Sequence, residues 1–271
     1  MADDGTLCKT LFYDITQQAH VPAAIASVDA SNCYDRIAHA MALLVFQAFG
    51  VPTTAIKTML EAIENMKFFL RMGFGDSMSY AEGGISIKTQ GLCQGNGASP
   101  AGWAVIRICI LQAHGRKGHG AKFLCPITNL RQHLLAILYV DDTDILHINL
   151  TKDESTYEVH TAIQGSVNNW GNLLMATGGV LQPNKCFYSI ILFEWSNGEW
   201  RYSENSTRDD LRITVPLPNG SSELISHKKV SHAEKTLGAM TSPDGNSTAS
   251  IAMMQEKAQK WINAVRNGHL H

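Results

Sequence analysis

The stretch Leu134-Leu135-Ala136-Ile137-Leu138-Tyr139-Val140-Asp141-Asp142-Thr143-Asp144-Ile145-Leu146 decides how the chain is read. A strongly apolar run ends in an aromatic and two adjacent acids, and the chain then turns apolar again through Ile145, Leu146 and Ile148. The pattern predicts a buried β-hairpin whose tight turn carries Asp141 and Asp142. Carboxylates beside so apolar a strand are costly without a counter-charge, and a divalent cation is the usual one. A solvated Asp-Asp turn between two core strands fits the same letters, because Asp favours turns. The hairpin alone leaves both readings open.

The chain has 271 residues, 45% hydrophobic and 17% charged, which suggests one or two globular domains with material for a sizeable core. A net charge of −2 gives no bulk sign of a nucleic-acid binder, so any such function needs a local basic groove. The six cysteines are scattered, without a C-x-x-C pair. They suggest neither a zinc site nor a disulfide framework, and an intracellular setting is expected, nucleus and cytoplasm undistinguished. His114 and His119 flank a basic Gly-rich turn at a spacing that matches no common metal site, and both read as surface residues. The start, Met-Ala-Asp-Asp-Gly, is unlike a secretory signal, and no apolar run is long enough to span a membrane.

Leu7, Leu11, Ile15 and Ala19 predict a helix ending near Pro22, and Ala23–Val28 a short buried strand running into Asp29. From Asp35 a helix is expected with Ile37, Met41, Leu44 and Ala48 on one face, stopped at Gly50. Pro52 opens another, continued by Ile56, Leu60 and Ile63. Lys67–Met72 and Gly84–Thr89 read as two strands, and Gly91–Gly97 as a loop. Ser99 as N-cap with Pro100 at the first helical position starts a helix that buries Trp103, Ile106, Ile110 and Ala113. Val159, Ile163, Val167, Trp170 and Leu174 mark an amphipathic helix. Ser196-Asn197-Gly198 is a hairpin turn between Cys186–Trp195 and Glu199–Tyr202. Ser203–His232 is strand-like, and Ile251, Met254, Ala258, Trp261 and Val265 mark a last helix. The fold class is α+β: an antiparallel sheet of split βαβ, ferredoxin-like type, backed by helices, in which Asp29 can lie beside Asp141 at one edge.

Nucleotidyl transfer needs two divalent ions about 3.5–4 Å apart, and Mg²⁺ asks for a few carboxylates. Asp29, Asp141 and Asp142 are a suitable ligand set, with the glycines of the 91–97 loop permitting close approach to a nucleotide. Tyr139-Val140-Asp141-Asp142 is similar to the catalytic Y-x-D-D box of reverse transcriptases. Ser27-Val28-Asp29-Ala30-Ser31-Asn32-Cys33-Tyr34-Asp35-Arg36-Ile37 resembles their first palm motif, and Gln94-Gly95-Asn96-Gly97-Ala98-Ser99-Pro100 their Q-G-x-x-x-S-P motif. Gly178–Cys186 resembles the G-x-L-N-P-x-K-C segment, and Lys235-Thr236-Leu237-Gly238 the K-x-L-G segment between palm and thumb. The motifs keep the family's order over roughly Ala23–Gly245, and the Tyr34-Asp35-Arg36-Ile37 ending is closest to the non-LTR retrotransposon branch.

The resemblance implies a palm domain of an RNA-directed DNA polymerase. It implies that Asp29 and Asp141 hold Mg²⁺ (Mn²⁺ as an alternative) with support from Asp142. Tyr34 would stack under the deoxyribose and exclude a 2′-hydroxyl, Gln94 and Gly95 would meet the incoming dNTP, and Lys185 would approach the pyrophosphate as a proton donor. Cys93 and Gln182 depart from the usual Pro or Arg and Asn, and neither is a metal ligand. The implied organisation is a fingers remnant or connecting helix at 1–22, palm at 23–202, a strand-rich extension and palm–thumb segment at 203–245, and a helix at 246–271 where a thumb would begin. Fingers are largely missing and the thumb is short, so the chain is expected to be partial, with a partner chain or further segment supplying fingers. Expected partners are an RNA template, a nucleic-acid primer and dNTPs, with no membrane. A near-neutral palm by itself should grip nucleic acid weakly. Two alternatives are a catalytically inactive retroelement-derived fragment or interaction module, and an RNA-dependent RNA polymerase, which the bulk of Tyr34 disfavours.

Overall fold

The computed structural model describes residues 2–83, 89–125, 127–150, 153–203, 211–236 and 239–268. The chain runs α1 (Ala2–Ala19), β1 (Ala23–Asp29), α2 (His39–Ala48), α3 (Thr53–Glu64), β2 (Lys67–Met72), β3 (Gly75–Glu82), α4 (Ser99–Gly115), β4 (Ala121–Leu124) and β5 (Arg131–Leu134). It continues through β6 (Ala136–Tyr139), β7 (Asp142–Asn149), α5 (Thr156–Ala176), β8 (Phe187–Ile191), β9 (Phe193–Ser196), β10 (Glu199–Tyr202) and β11 (Thr214–Pro216). Short strands β12 (Ser222–Leu224), β13 (Ser226–His227), β14 (Glu234–Thr236) and β15 (Ala239–Thr241) lead to α6 (Thr248–Arg266).

The main sheet has the order β13-β8-β1-β7-β4-β5, with β6 also on β7. Its centre is the expected split βαβ: β8, β1, β7 and β6 lie side by side and antiparallel, with helices connecting β1 to β6 and β7 to β8. The sheet as a whole is mixed, which corrects the purely antiparallel expectation. β6 pairs β7 only as far as Ile145, and the free edge beyond it takes β4 in parallel through Ala121↔Ile148. At the other side β13 adds in parallel through Ser226↔Phe187.

β1 reads as a continuous apolar run because both its faces are covered. Ala24, Ala26 and Val28 join one core with Ile106, Ile163, Val167 and Trp170, whereas Ala23 and Ile25 join another with Phe12, Tyr13, Leu146 and Ile148. α5 buries all five residues of its predicted stripe, and a Ser155–Glu158 capping box starts it. α3 likewise buries Ile56, Leu60 and Ile63.

Other faces differ from expectation. α2 starts at His39, after a turn with Asn32 at φ 48°, and buries Ala42, Val45 and Phe46 while Leu44 is exposed. α1 buries Lys9, Phe12, Tyr13 and Thr16 and leaves Leu7 and Leu11 in solvent. The partner of β2 is β3 at Gly75–Glu82, whereas residues 84–88 of the predicted strand lie outside the described residues. α6 forms where predicted, but Ile251, Met254, Trp261 and Val265 on its apolar face are exposed. Among the described residues no helix is long and apolar enough to cross a membrane.

His114 is the sharpest reversal, since it is fully buried rather than on the surface. Its ring accepts from Asn169 Nδ2 at 2.9 Å, lies 3.2 Å from Ser166 Oγ, and meets Trp170 edge-on. Burial, with His119 and His133 nearby, lowers its pKa to about 4. An unfolded histidine titrates near 6.5, so the neutral ring stabilises the fold fully above that pH. This contribution, on the order of 3 kcal/mol, is lost as the pH falls from about 6.5 toward 4. Denaturant titrations at pH 7 and pH 4.5 should therefore show a smaller acid-induced loss for His114→Gln than for the parent protein. Equal losses would remove His114 as the group responsible.

Candidate functional site

The site begins with a register. Antiparallel pairing of β1 with β7 sets Asp29 opposite Asp142 and Ser27 opposite Asp144, so these four side chains share one face of the sheet. Tyr139 pairs with Asp142, which leaves Val140 and Asp141 as the two-residue turn; Asp142 is thus the first strand residue rather than a turn residue. Val140 occupies the left-handed region at φ 47°, unusual for a β-branched residue.

The neighbouring backbone is stitched on both sides. Ala30 N donates to the Asp141 carbonyl at 3.2 Å, Gln182 N to the Asp29 carbonyl at 3.0 Å, and Ser31 N to the Val180 carbonyl at 2.8 Å. Lys185 ends a single 3-10 turn, Pro183–Lys185, and its Nζ donates to Asp29 Oδ2 at 3.3 Å. Asp29 is buried, and among the described residues its Oδ1 has no hydrogen-bond partner. Burial pushes the Asp142 carboxyl up, and Asp141, Asp29 and Asp144 add to the rise against the opposing Lys185.

The remaining predicted residues belong to a loop packed on the turn after β1. Leu92 N donates to the Tyr34 carbonyl at 2.7 Å, Gly91 N to the Ile37 carbonyl at 3.0 Å, and Gln94 N to Asp35 Oδ1 at 3.0 Å. Gly91 is needed here: its φ is 84°, and a Cβ would meet Asp35 Cα at 2.5 Å. The His39 ring joins the Gly91 carbonyl at 2.8 Å to Glu64 at 3.1 Å. Gln94 and Gly95 stand exposed on this loop, while Tyr34 is half-buried. Burial raises the Tyr34 phenol, with Cys33 and Asp141 contributing and Arg107 opposing, so Tyr34 stands within electrostatic reach of the acidic turn. Ser99 is not an N-cap, because the helix cap is Ala98 and Ser99 is already helical. Its buried hydroxyl instead donates to the carbonyls of Leu92 and, at 2.7 Å, Cys93.

Three contributors escaped sequence reasoning. Asp144 is buried beside Ser27 Oγ and 3.0 Å from Lys9 Nζ, which also donates to Thr236 Oγ1 at 3.1 Å. Its two-residue spacing from Asp142 was a usable signal, since alternate strand residues share a face. Lys9 had none, because its partner lies 135 positions away. The third is Arg107, buried on α4, whose guanidinium donates to the Val140 carbonyl, to the Asp142 carbonyl at 2.8 Å and to Thr143 Oγ1 at 3.2 Å. Burial lowers its pKa to about 10, against the raising effect of Cys33, Asp141 and Asp142. A lone Arg inside the Trp103–Ile110 apolar stripe was the available clue.

The cleft over this face is lined by Asp29, Asp142 and Asp144 together with Lys9, Lys185 and Lys235. Among the described residues no three His, Cys, Asp or Glu side chains are arranged to hold a metal by themselves. The donor set nevertheless fits Mg²⁺, which usually takes one or two carboxylates and completes its shell with water and substrate phosphates. The buried, unpartnered Asp29 Oδ1 is the atom in want of such a partner.

No family model and no curated protein sequence matches the chain. Among solved structures it is similar to apo telomerase from Candida tropicalis truncated from its C-terminal domain, with a TM-score of 0.44, 13% identity, and coverage of 82% of this chain and 39% of that one. It is also similar to telomerase from Candida albicans in complex with a TWJ fragment of telomeric RNA, with a TM-score of 0.44, 10% identity, and coverage of 91% and 34%. The chain thus spans well under half the length of either.

The Ser99 hydroxyl gives this geometry a direct test. Ser99→Ala would leave two loop carbonyls short of a buried donor, and the expected loss of unfolding free energy in urea is about 1–3 kcal/mol. Limited proteolysis should then cut within 91–97 more readily. A variant as stable and as resistant as the parent would remove the hydroxyl as the loop's anchor.

Proposed function

We propose that this chain is the palm of an RNA-directed DNA polymerase from a retroelement, adding dNTPs to a primer 3′ end under direction of an RNA template. The observation that carries the proposal is the facing of Asp29 and Asp142 across β1 and β7, beside Asp141, with Lys185 on Asp29 and one Asp29 oxygen unpartnered. Two-acid sites of this kind are what nucleotidyl transfer asks of a protein. The Tyr34-Asp35-Arg36-Ile37 ending supports a non-LTR source.

In this reading Asp29 and Asp141, supported by Asp142, would hold Mg²⁺ or Mn²⁺. When bound, the ions would acidify the primer 3′-hydroxyl and brace the departing pyrophosphate. Lys185 is an exposed cation already on Asp29; it would exchange that carboxylate for a pyrophosphate oxygen and supply a proton there. Tyr34 would lie under the sugar and exclude a 2′-hydroxyl by bulk, while Gln94 and Gly95 would meet the nucleotide from a loop whose glycine presents no side chain. Template and primer would be gripped mainly by segments outside this palm, a partner chain or further sequence serving as fingers.

A second reading, a retroelement-derived module that does not catalyse, draws on two observations. Lys185 neutralises Asp29, and no three-ligand group occurs among the described residues.

Primer extension on an RNA template with Mg²⁺ and dNTPs separates the two. Asp141→Asn should reduce extension about a hundredfold or more, since a ligand is lost outright where even its supporting groups cost 10–100-fold. Extension that survives the substitution would belong to another enzyme, and no extension by the parent chain with added fingers would favour the non-catalytic reading. In an active preparation, Tyr34→Ala should improve rNTP use relative to dNTP by about tenfold. Unchanged discrimination would end the steric-filter assignment.

A further inference from the structure

We infer that Arg107 is the positioning residue that holds the acidic turn, acting through the carbonyls of Val140 and Asp142; this rests on the polymerase reading only for its catalytic consequence. The reasoning starts with Val140. A two-residue turn whose first position needs positive φ is ordinarily filled by Gly or Asn, yet here it holds a β-branched residue at φ 47°. Left to itself that conformation is disfavoured, so the surroundings must impose it.

The turn's carbonyls show how. Val140 O accepts from the Arg107 guanidinium and from Trp103 Nε1 at 2.5 Å. Asp141 O accepts from Ala30 N at 3.2 Å, and Asp142 O from Arg107 Nη2 at 2.8 Å. Every carbonyl from 140 to 142 therefore has a donor, and Arg107 serves the two that flank Asp141. Fixing those two peptide planes fixes the direction in which Asp141 and Asp142 project. A planar fork can do this where a single point donor cannot.

The cost of the arrangement supports a role. Arg107 is 6% exposed, and its nearest buried neighbours along the helix face are Trp103, Ile106 and Ile110, among which an aliphatic side chain would pack without any desolvation cost. The same helix carries Ser99, which anchors the loop bearing Gln94. α4 thus registers the nucleotide loop against the acidic turn, and Arg107 is its contact at the turn.

The test uses Arg107→Met, which keeps length but no donors, Arg107→Lys, which keeps charge but no fork, and both in a Val140→Gly background. Hydrogen exchange read by mass spectrometry needs no activity. Segments covering Leu138–Thr143 should exchange about tenfold faster in Arg107→Met and Arg107→Lys, as expected for lost charge-assisted hydrogen bonds, with α5 and β8 unchanged. In the Val140→Gly background the increase should shrink, because glycine takes positive φ unaided. Primer extension, where present, should lose kcat with little change in KM for dNTP. Unchanged exchange at the turn, an equal increase in both backgrounds, or acceleration throughout the chain in both Arg107 variants would overturn the assignment. A chain that extends no primer yet shows the local effect upholds Arg107 as the turn's support and overturns the polymerase reading.

Discussion

Everything in the candidate site depends on the antiparallel pairing of β1 with β7. That pairing sets Asp29 opposite Asp142 and Ser27 opposite Asp144. A slip by one residue would exchange the faces and turn Ser27 and Asp29 into the core that Ala26 and Val28 now share with the helices. Small residues on β1 let helices approach one side, while Ile25 packs with Phe12 and Tyr13 of α1 on the other. The acids occupy the end of the second face, where α1 gives way to the cleft.

Charge is balanced unevenly across that face. Asp144 is fully engaged by Lys9 and Ser27 and belongs to the structure that ties α1 to the β14–β15 hairpin. Asp29 is only half engaged, by the long and mostly exposed arm of Lys185. Asp142 feels three neighbouring carboxylates and shifts upward, a state that a cation would relieve.

Rigidity comes from α4 rather than from the sheet alone. Ser99 at its start holds the glycine loop, and Trp103 and Arg107 one and two turns on hold the hairpin tip. The acids would otherwise hang from a turn that its own sequence disfavours. Stability elsewhere is conventional: α5 buries a full apolar stripe against the sheet, and His114 is kept neutral within the same contact.

The sequence by itself determined the elements whose burial is one-sided and local. The stripes of α3 and α5, the hairpin of β6 and β7 and the Asn197-Gly198 turn were legible because periodicity reports a single buried face. The facing of Asp29 and the hairpin was legible too, since the split βαβ order leaves β1 little choice of neighbour. The buried face of α1, the true start of α2, the position of β3 and the parallel edges of the sheet were decided by tertiary structure. Those depend on which surface arrives from a distant part of the chain. The same holds for Lys9, Arg107 and His114. Their partners lie tens to more than a hundred positions away, and a pairing at that range leaves no period in the letters around it.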